Sequence, residues 1–220
     1  MTETGKPLAL VVLISGRGSN FKAILDAIQA GELNAVVKAV ISSRGDAPGL
    51  DAASRAAIDR LALVPADYPE REAYDRALQG LIDRFEPDIV VLAGFMRILS
   101  ADFVRRYRGR LVNIHPSLLP ALQGLDTHQR ALNEGLKEHG ASVHFVTEEL
   151  DGGPVIIQVR VPVLGSDDAN ALAARVLQQE HRLYTQALRL LAEHRVRLEN
   201  DHIIYDNKPL QQPIQLDAEP

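Results

Sequence analysis

The chain has 220 residues, 46% hydrophobic and 24% charged, with a formal net charge of −5. That is enough for one sizeable core, and the acidic balance is the opposite of a broad nucleic-acid footprint. It contains no cysteine, which removes disulfides, thiolate metal sites and cysteine nucleophiles.

No apolar run approaches the ~20 residues needed to span a bilayer. The polar start, MTETGKP, followed by an apolar run into a glycine turn, does not read as a signal peptide. The expectation is a soluble, cytoplasmic protein. Leu8–Ile14 is continuously apolar, as a strand covered on both faces should be. Residues 21–30 follow with Ile24, Leu25 and Ile28 at helical spacing. Strands are expected at 36–41, 58–64, 88–93 and 110–115, and helices at 47–57 and 71–85. The second of these helices places Tyr74, Ala77, Leu78, Leu81, Ile82 and Phe85 on one face. The basic run 105–110 (RRYRGR) reads as a solvated helix end. Two further strands, 141–147 and Val155–Pro162, flank EELDGGP and suggest an antiparallel excursion. A long amphipathic helix spans about 168–194, and the proline-bearing segment 206–220 is expected to be a loosely held tail.

Alternating strands and helices predict an α/β fold with a mostly parallel twisted sheet flanked by helices. In such sheets ligands bind beyond the carboxyl ends of the strands, where three irregular segments lie. The first is SGRGSN (residues 15–20). Its glycines allow close approach of a ligand, and helix N-terminal amides attract phosphate. It equally suits a tight turn capped by Ser19 or Asn20. It is neither a Walker A loop nor a full dinucleotide fingerprint, since Phe21 stands where a third glycine would be; a nicotinamide dehydrogenase is therefore disfavoured. The second is GFMRIL (residues 94–99).

The third is NIHPSLLP (residues 113–120). Asn113 and His115 share one strand face about 6.5–7 Å apart, while Val112 and Ile114 point the other way. The pair suits a carbonyl oxygen or oxyanion; a histidine satisfied by a backbone carbonyl in the core reads the same way. Asp151, before two glycines, fits either a surface turn or a loop that reaches back to orient a histidine. Glu180 falls in the apolar stripe of the long helix, four residues from both Val176 and Tyr184, where a carboxylate needs a partner or a ligand. Ser117 lacks a nucleophile-elbow setting. His139, His144, His181 and His194 show no metal spacing, so they read as structural and no metal is expected.

Taken in order, GRGSN, VLAGFMRIL, NIHPSLLP, THQRAL and VHFVTEELDGGPVIIQ make the sequence resemble the phosphoribosylglycinamide formyltransferases of purine biosynthesis, from about Leu8 to Tyr184. The resemblance implies a single formyltransferase-fold domain over 1–205. Its mononucleotide-binding half would be 1–110 and its folate and catalytic half 111–205, with 206–220 as the tail. It implies 10-formyltetrahydrofolate as co-substrate, glycinamide ribonucleotide as acceptor, and no nucleic acid or membrane partner. A monomer or weak homodimer is expected.

At matching positions Asn113, His115 and Asp151 become the catalytic trio. Gly18, Ser19, Asn20 and Glu180 take the ribonucleotide. Arg71, Met96, Arg97, Ile98, Leu99, Asn113, Thr147, Glu148, Glu149, Leu150 and Asp151 take the folate. Leu122 and Asp126 depart from some relatives, which leaves the details of the loop after Pro120 open. The rival readings are a 10-formyltetrahydrofolate hydrolase and a non-catalytic nucleotide-binding module. Methionyl-tRNA formyltransferase is disfavoured by the lack of a basic surface.

Overall fold

The computed structural model describes residues 5–218. The start of the polar leader (1–4) and the last two residues of the expected tail lie outside the described residues. The chain divides into two compact units, with the boundary between Val112 and Asn113.

In the first unit, β1 (Leu8–Ile14) is buried at every position, which is why its sequence is an unbroken apolar run. It pairs in parallel with β2 (Ala35–Ser42) on one side and β4 (Ile89–Leu92) on the other; β2 in turn pairs in parallel with β3 (Asp59–Ala62). The helices that connect these strands are α1 (Ser19–Gln29), α2 (Gly49–Arg55) and α3 (Arg71–Asp83). A short α4 (Ala101–Arg106) precedes β5 (Leu111–His115), so residues 105 and 106 of the basic run do close a helix. Each buries an apolar stripe. In α3 this stripe is Tyr74, Leu78 and Ile82, and the acidic Asp75 is buried with them.

The second unit contains the end of β5, α5 (Thr127–Asn133), and the antiparallel pair β6 (Glu138–Phe145) and β7 (Val155–Pro162). The 24-residue α6 (Ala169–Ala192) packs against β6 and β7. Asp168 caps it by accepting the Ala171 N–H at 2.7 Å. A small antiparallel sheet follows: β8 (Val196–Glu199), β9 (His202–Tyr205) and β10 (Lys208–Pro209).

The fold class is the expected one, with mostly parallel strands, flanking helices and an antiparallel excursion. The tail is a correction. Residues 208–209 form β10, and β11 (Ile214–Leu216) pairs in parallel with β7, setting Ile214 beside Ile157 and Leu216 beside Val159. Backbone pairing to a buried strand holds a segment whose composition alone looks solvated.

Candidate active site

The second unit gathers three of the expected residues and adds a fourth. His115, at the end of β5, is 6% exposed and has acceptors at both ring nitrogens. Its Nε2 lies 2.9 Å from the Leu122 carbonyl, so that nitrogen carries a proton and donates it. Its Nδ1 lies 3.4 Å from Asp151 Oδ2. The same carboxylate oxygen accepts the Gly124 N–H at 3.0 Å, so Asp151 orients the histidine and also pins the loop that follows it. Asp151 is no simple surface turn. It has a positive φ of 50° and a side chain only 9% exposed.

Gly153 explains why the aspartate can reach inward. A Cβ there would lie 1.8 Å from the Phe145 carbonyl oxygen, so only glycine lets the two backbones approach.

His144, read from sequence as merely structural, is the fourth member. Its Nδ1 donates to the Phe145 carbonyl at 2.9 Å. Burial pushes its pKa down to about 4, so the ring is neutral near pH 7 and Nε2 is an acceptor. Asn113 sits 3.2 Å from that nitrogen through its amide Nδ2. The acceptor therefore fixes which way the amide faces, and leaves the second amide N–H and Oδ1 for other partners. Nε2 lies 3.9 Å from Asp151 Oδ1, but a neutral imidazole makes no ion pair there. A register shift between Val143 and His144 in the β6–β7 ladder accompanies this placement. The sequence carries a signal for it: Ser142 and His144 are polar residues two apart, alternating with the apolar Ala141, Val143 and Phe145 in the second half of β6, the same pattern as Asn113 and His115.

A buried network fixes the chain just after His115. Ser142 Oγ donates to the Ser117 carbonyl at 2.7 Å and accepts the Leu119 N–H at 3.0 Å. Gln158 Nε2 donates to the Leu119 carbonyl at 2.8 Å and to Ser142 Oγ at 2.9 Å. Ser117 itself donates to the Ala121 carbonyl at 2.7 Å, a structural role. Glu180 is buried in α6, 8% exposed. Thr147 is half-buried, whereas Glu148, Glu149 and Leu150 are exposed ahead of Asp151.

In the first unit, the residue preceding α1 is Gly18, in the left-handed region with φ 70°, and no side chain caps the helix. The alternative of a Ser19 or Asn20 cap is therefore not what the structure adopts. A Cβ on Gly18 would come 3.1 Å from the Gly49 Cα, and the Gly49 N–H donates to the Gly16 carbonyl at 3.1 Å. The loop is thus held tightly against the start of α2, with Asn20 buried and Ser19 half-buried. Arg71 begins α3, half-exposed, with an ion pair to Glu72 at 3.3 Å. Met96 and Ile98 are 71% and 62% exposed; Arg97 and Leu99, between and after them, are half-buried. Among the described residues, no group of three or more His, Asp or Glu could hold a metal, and no helix is long and apolar enough to cross a membrane.

The formyl transferase family matches residues 8–188. The chain belongs to the formyl transferase family. This formyl transferase is 50% identical to the phosphoribosylglycinamide formyltransferase of Escherichia coli strain K12, over 91% of this chain and 95% of that one. It superposes on the phosphoribosylglycinamide formyltransferase of Coxiella burnetii, solved with CHES, with a TM-score of 0.92 and 45% identity, over 96% and 99% of the two chains. A formyltetrahydrofolate deformylase from Pseudomonas putida also shares its fold, at TM-score 0.82 and 27% identity, over 93% of this chain and 72% of that one.

Proposed function

We propose that this formyl transferase moves the formyl group of 10-formyltetrahydrofolate onto the amine of glycinamide ribonucleotide, a step of de novo purine biosynthesis, in the cytoplasm. The relatives named above support the assignment, and one observation carries the chemistry. Asn113, oriented by neutral His144, and His115, backed by Asp151, are polar groups preorganised at a strand end.

In the proposed reaction the amine nitrogen attacks the formyl carbon, forming the new C–N bond and a tetrahedral oxyanion. The free amide N–H of Asn113 and the Nε2 proton of His115 stabilise that oxyanion. For His115 to do so, the oxyanion replaces the Leu122 carbonyl as acceptor of the Nε2 proton. Asp151 keeps the ring in place and accepts from Nδ1. The bond from carbon to the folate N10 then breaks, and the proton lost by the attacking amine reaches N10.

The mononucleotide-binding half (1–110) supplies the loop of Gly18, Ser19 and Asn20 for the ribonucleotide phosphate. The absence of a side-chain cap on α1 supports that role. The second half (111–205) supplies Glu180 toward the ribose. For folate recognition, Arg71, Met96, Arg97, Ile98 and Leu99 act from the first unit, and Asn113 and Thr147, Glu148, Glu149, Leu150 and Asp151 from the second. The enzyme works as a monomer or weak homodimer.

Following 10-formyltetrahydrofolate turnover by absorbance, with and without glycinamide ribonucleotide, tests the assignment. The expected result is turnover only when the ribonucleotide is present. Equal turnover without it would make the enzyme a hydrolase of the same folate, the reading that the likeness to the deformylase favours.

A further inference from the structure

The segment 94–100 of the first unit is tied down at both ends by buried groups, and one tie comes from a residue that no part of the proposed chemistry uses. At its start, the Met96 N–H donates to Ser15 Oγ at 2.9 Å, and that hydroxyl is 2.7 Å from Ser43 Oγ. At its end, the Ser100 N–H donates to Asp75 Oδ2 at 2.6 Å. Asp75 is 2% exposed, on the apolar face of α3. A carboxylate there is costly unless it is hydrogen-bonded; the Ser100 N–H offsets that cost at Oδ2, and the other oxygen, Oδ1, has no hydrogen-bond partner. Its neighbour Tyr74 holds the same segment, with the Arg97 guanidinium 4.7 Å above its ring. Two consecutive residues of α3 thus hold Arg97 and Ser100. Between the ties, Met96 and Ile98 turn their apolar side chains to solvent.

α4 does not need Asp75. Its first turn is capped by Ser100 Oγ, which accepts the Phe103 N–H at 3.4 Å. What Asp75 serves is the backbone shape of 96–100.

We propose that Asp75 is a positioning residue for folate recognition, preorganising residues 96–99 so that little ordering cost falls on folate binding. This rests on the reading above that Met96, Arg97, Ile98 and Leu99 meet the folate. Preorganisation acts on affinity rather than on the chemical step, so its signature is a selective change in one KM. Asp75→Ala removes the acceptor of the Ser100 N–H and raises KM for 10-formyltetrahydrofolate about tenfold, with kcat and KM for glycinamide ribonucleotide nearly unchanged. Asp75→Asn keeps an oxygen acceptor for the Ser100 N–H and restores the wild-type KM.

Steady-state kinetics of the two variants beside Ile98→Ser, with amide hydrogen exchange of the wild-type protein, make the test. A slow Ser100 amide in the free enzyme supports the tie without any variant; exchange at the rate of an exposed amide overturns it. A folate KM raised by Ile98→Ser but not by Asp75→Ala overturns the positioning role alone. No change in either overturns the folate reading and the proposal with it. Loss with Asp75→Asn as large as with Asp75→Ala also overturns it, since the acceptor is still there.

Discussion

His144 Nε2 accepts a hydrogen bond from the Asn113 amide at 3.2 Å, and this contact decides which way the amide faces. The Phe145 carbonyl holds the His144 proton on Nδ1, so the acceptor on Nε2 is fixed as well. Replacing His144 with leucine frees the amide to turn its oxygen toward the formyl oxygen. Removing an oxyanion donor outright costs about 10²–10³ in rate. Asn113→Ala is expected to show that loss, and His144→Leu a smaller one of roughly tenfold in kcat. The decisive measurement is the double variant. It should be no slower than Asn113→Ala alone, since His144 acts through Asn113; additive losses would give His144 an independent role.

His115→Ala should lower kcat by at least about 10²-fold with the fold intact, checked by turnover and by circular dichroism on the same preparation. Asp151→Asn keeps the shape and one oxygen acceptor but removes the negative charge of the group whose single oxygen, Oδ2, faces both His115 Nδ1 and the Gly124 N–H. It is expected to cost kcat as well, and to loosen the loop after His115, seen as faster amide exchange at Gly124. Near-normal turnover by purified His115→Ala would remove the histidine from the mechanism.

Two buried histidines set the acid limit of stability. Burial pushes His144 down to about 4, and burial together with the nearby His128 and His115 pushes His139 down to about 4. The unfolded chain holds them near the ordinary 6.5, so between these values it binds more protons than the folded protein. Stability is therefore fully present above about pH 6.5 and is lost as pH falls toward 4, by an amount on the order of a few kcal/mol. Urea unfolding at pH 7 and pH 5 should show a lower midpoint at pH 5. In His144→Phe the difference should shrink, because one of the two protonation penalties is gone.

Much of this was legible because it depends on local pattern. β1 is apolar at every position and buried at every position. Asn113 and His115 interrupt an apolar strand immediately before a proline, which marks the strand end where the structure sets them beside His144 and Asp151. The features that escaped depend on distant partners. β11 spans three residues, with Gln215 between its two apolar ones, and exists because β7 offers a free edge. Asp75 lies beside the apolar stripe of α3, and only the Ser100 amide, 25 residues away, accounts for its burial. α4 and α5 are six and seven residues long, too short for a helical period to stand out. His144 shows no metal spacing in the sequence, and its bond to Asn113, 31 residues away, leaves no local pattern.

Cutting the chain after Gln212 would remove β11 and leave the outer edge of β7 unpaired beside Ile157 and Val159, which are 1% and 0% exposed. Losing three paired residues and their apolar cover should lower Tm by several degrees. The KM values should hold, since none of the proposed binding residues lies beyond residue 180. An unchanged Tm would make β11 dispensable, as the composition of the tail suggested.

Gly153 joins stability to the orientation of the site in one backbone contact. Alanine would put its Cβ 1.8 Å from the Phe145 carbonyl oxygen. That oxygen cannot simply move away, because the Phe145 N–H is bonded to the Pro154 carbonyl at 3.0 Å and the oxygen itself accepts from His144 Nδ1. Relief must come from separating the start of β7 from the end of β6, an overpacking cost of about 1–3 kcal/mol. The same movement disturbs the bond that fixes the His144 tautomer, and so the Asn113 amide. Gly153→Ala is therefore expected to lower Tm and, in the protein that remains folded, to lower kcat. Thermal unfolding and turnover per folded molecule separate the two effects. A lower Tm with unchanged kcat would mean that the Phe145 carbonyl does not govern how Asn113 faces the reaction.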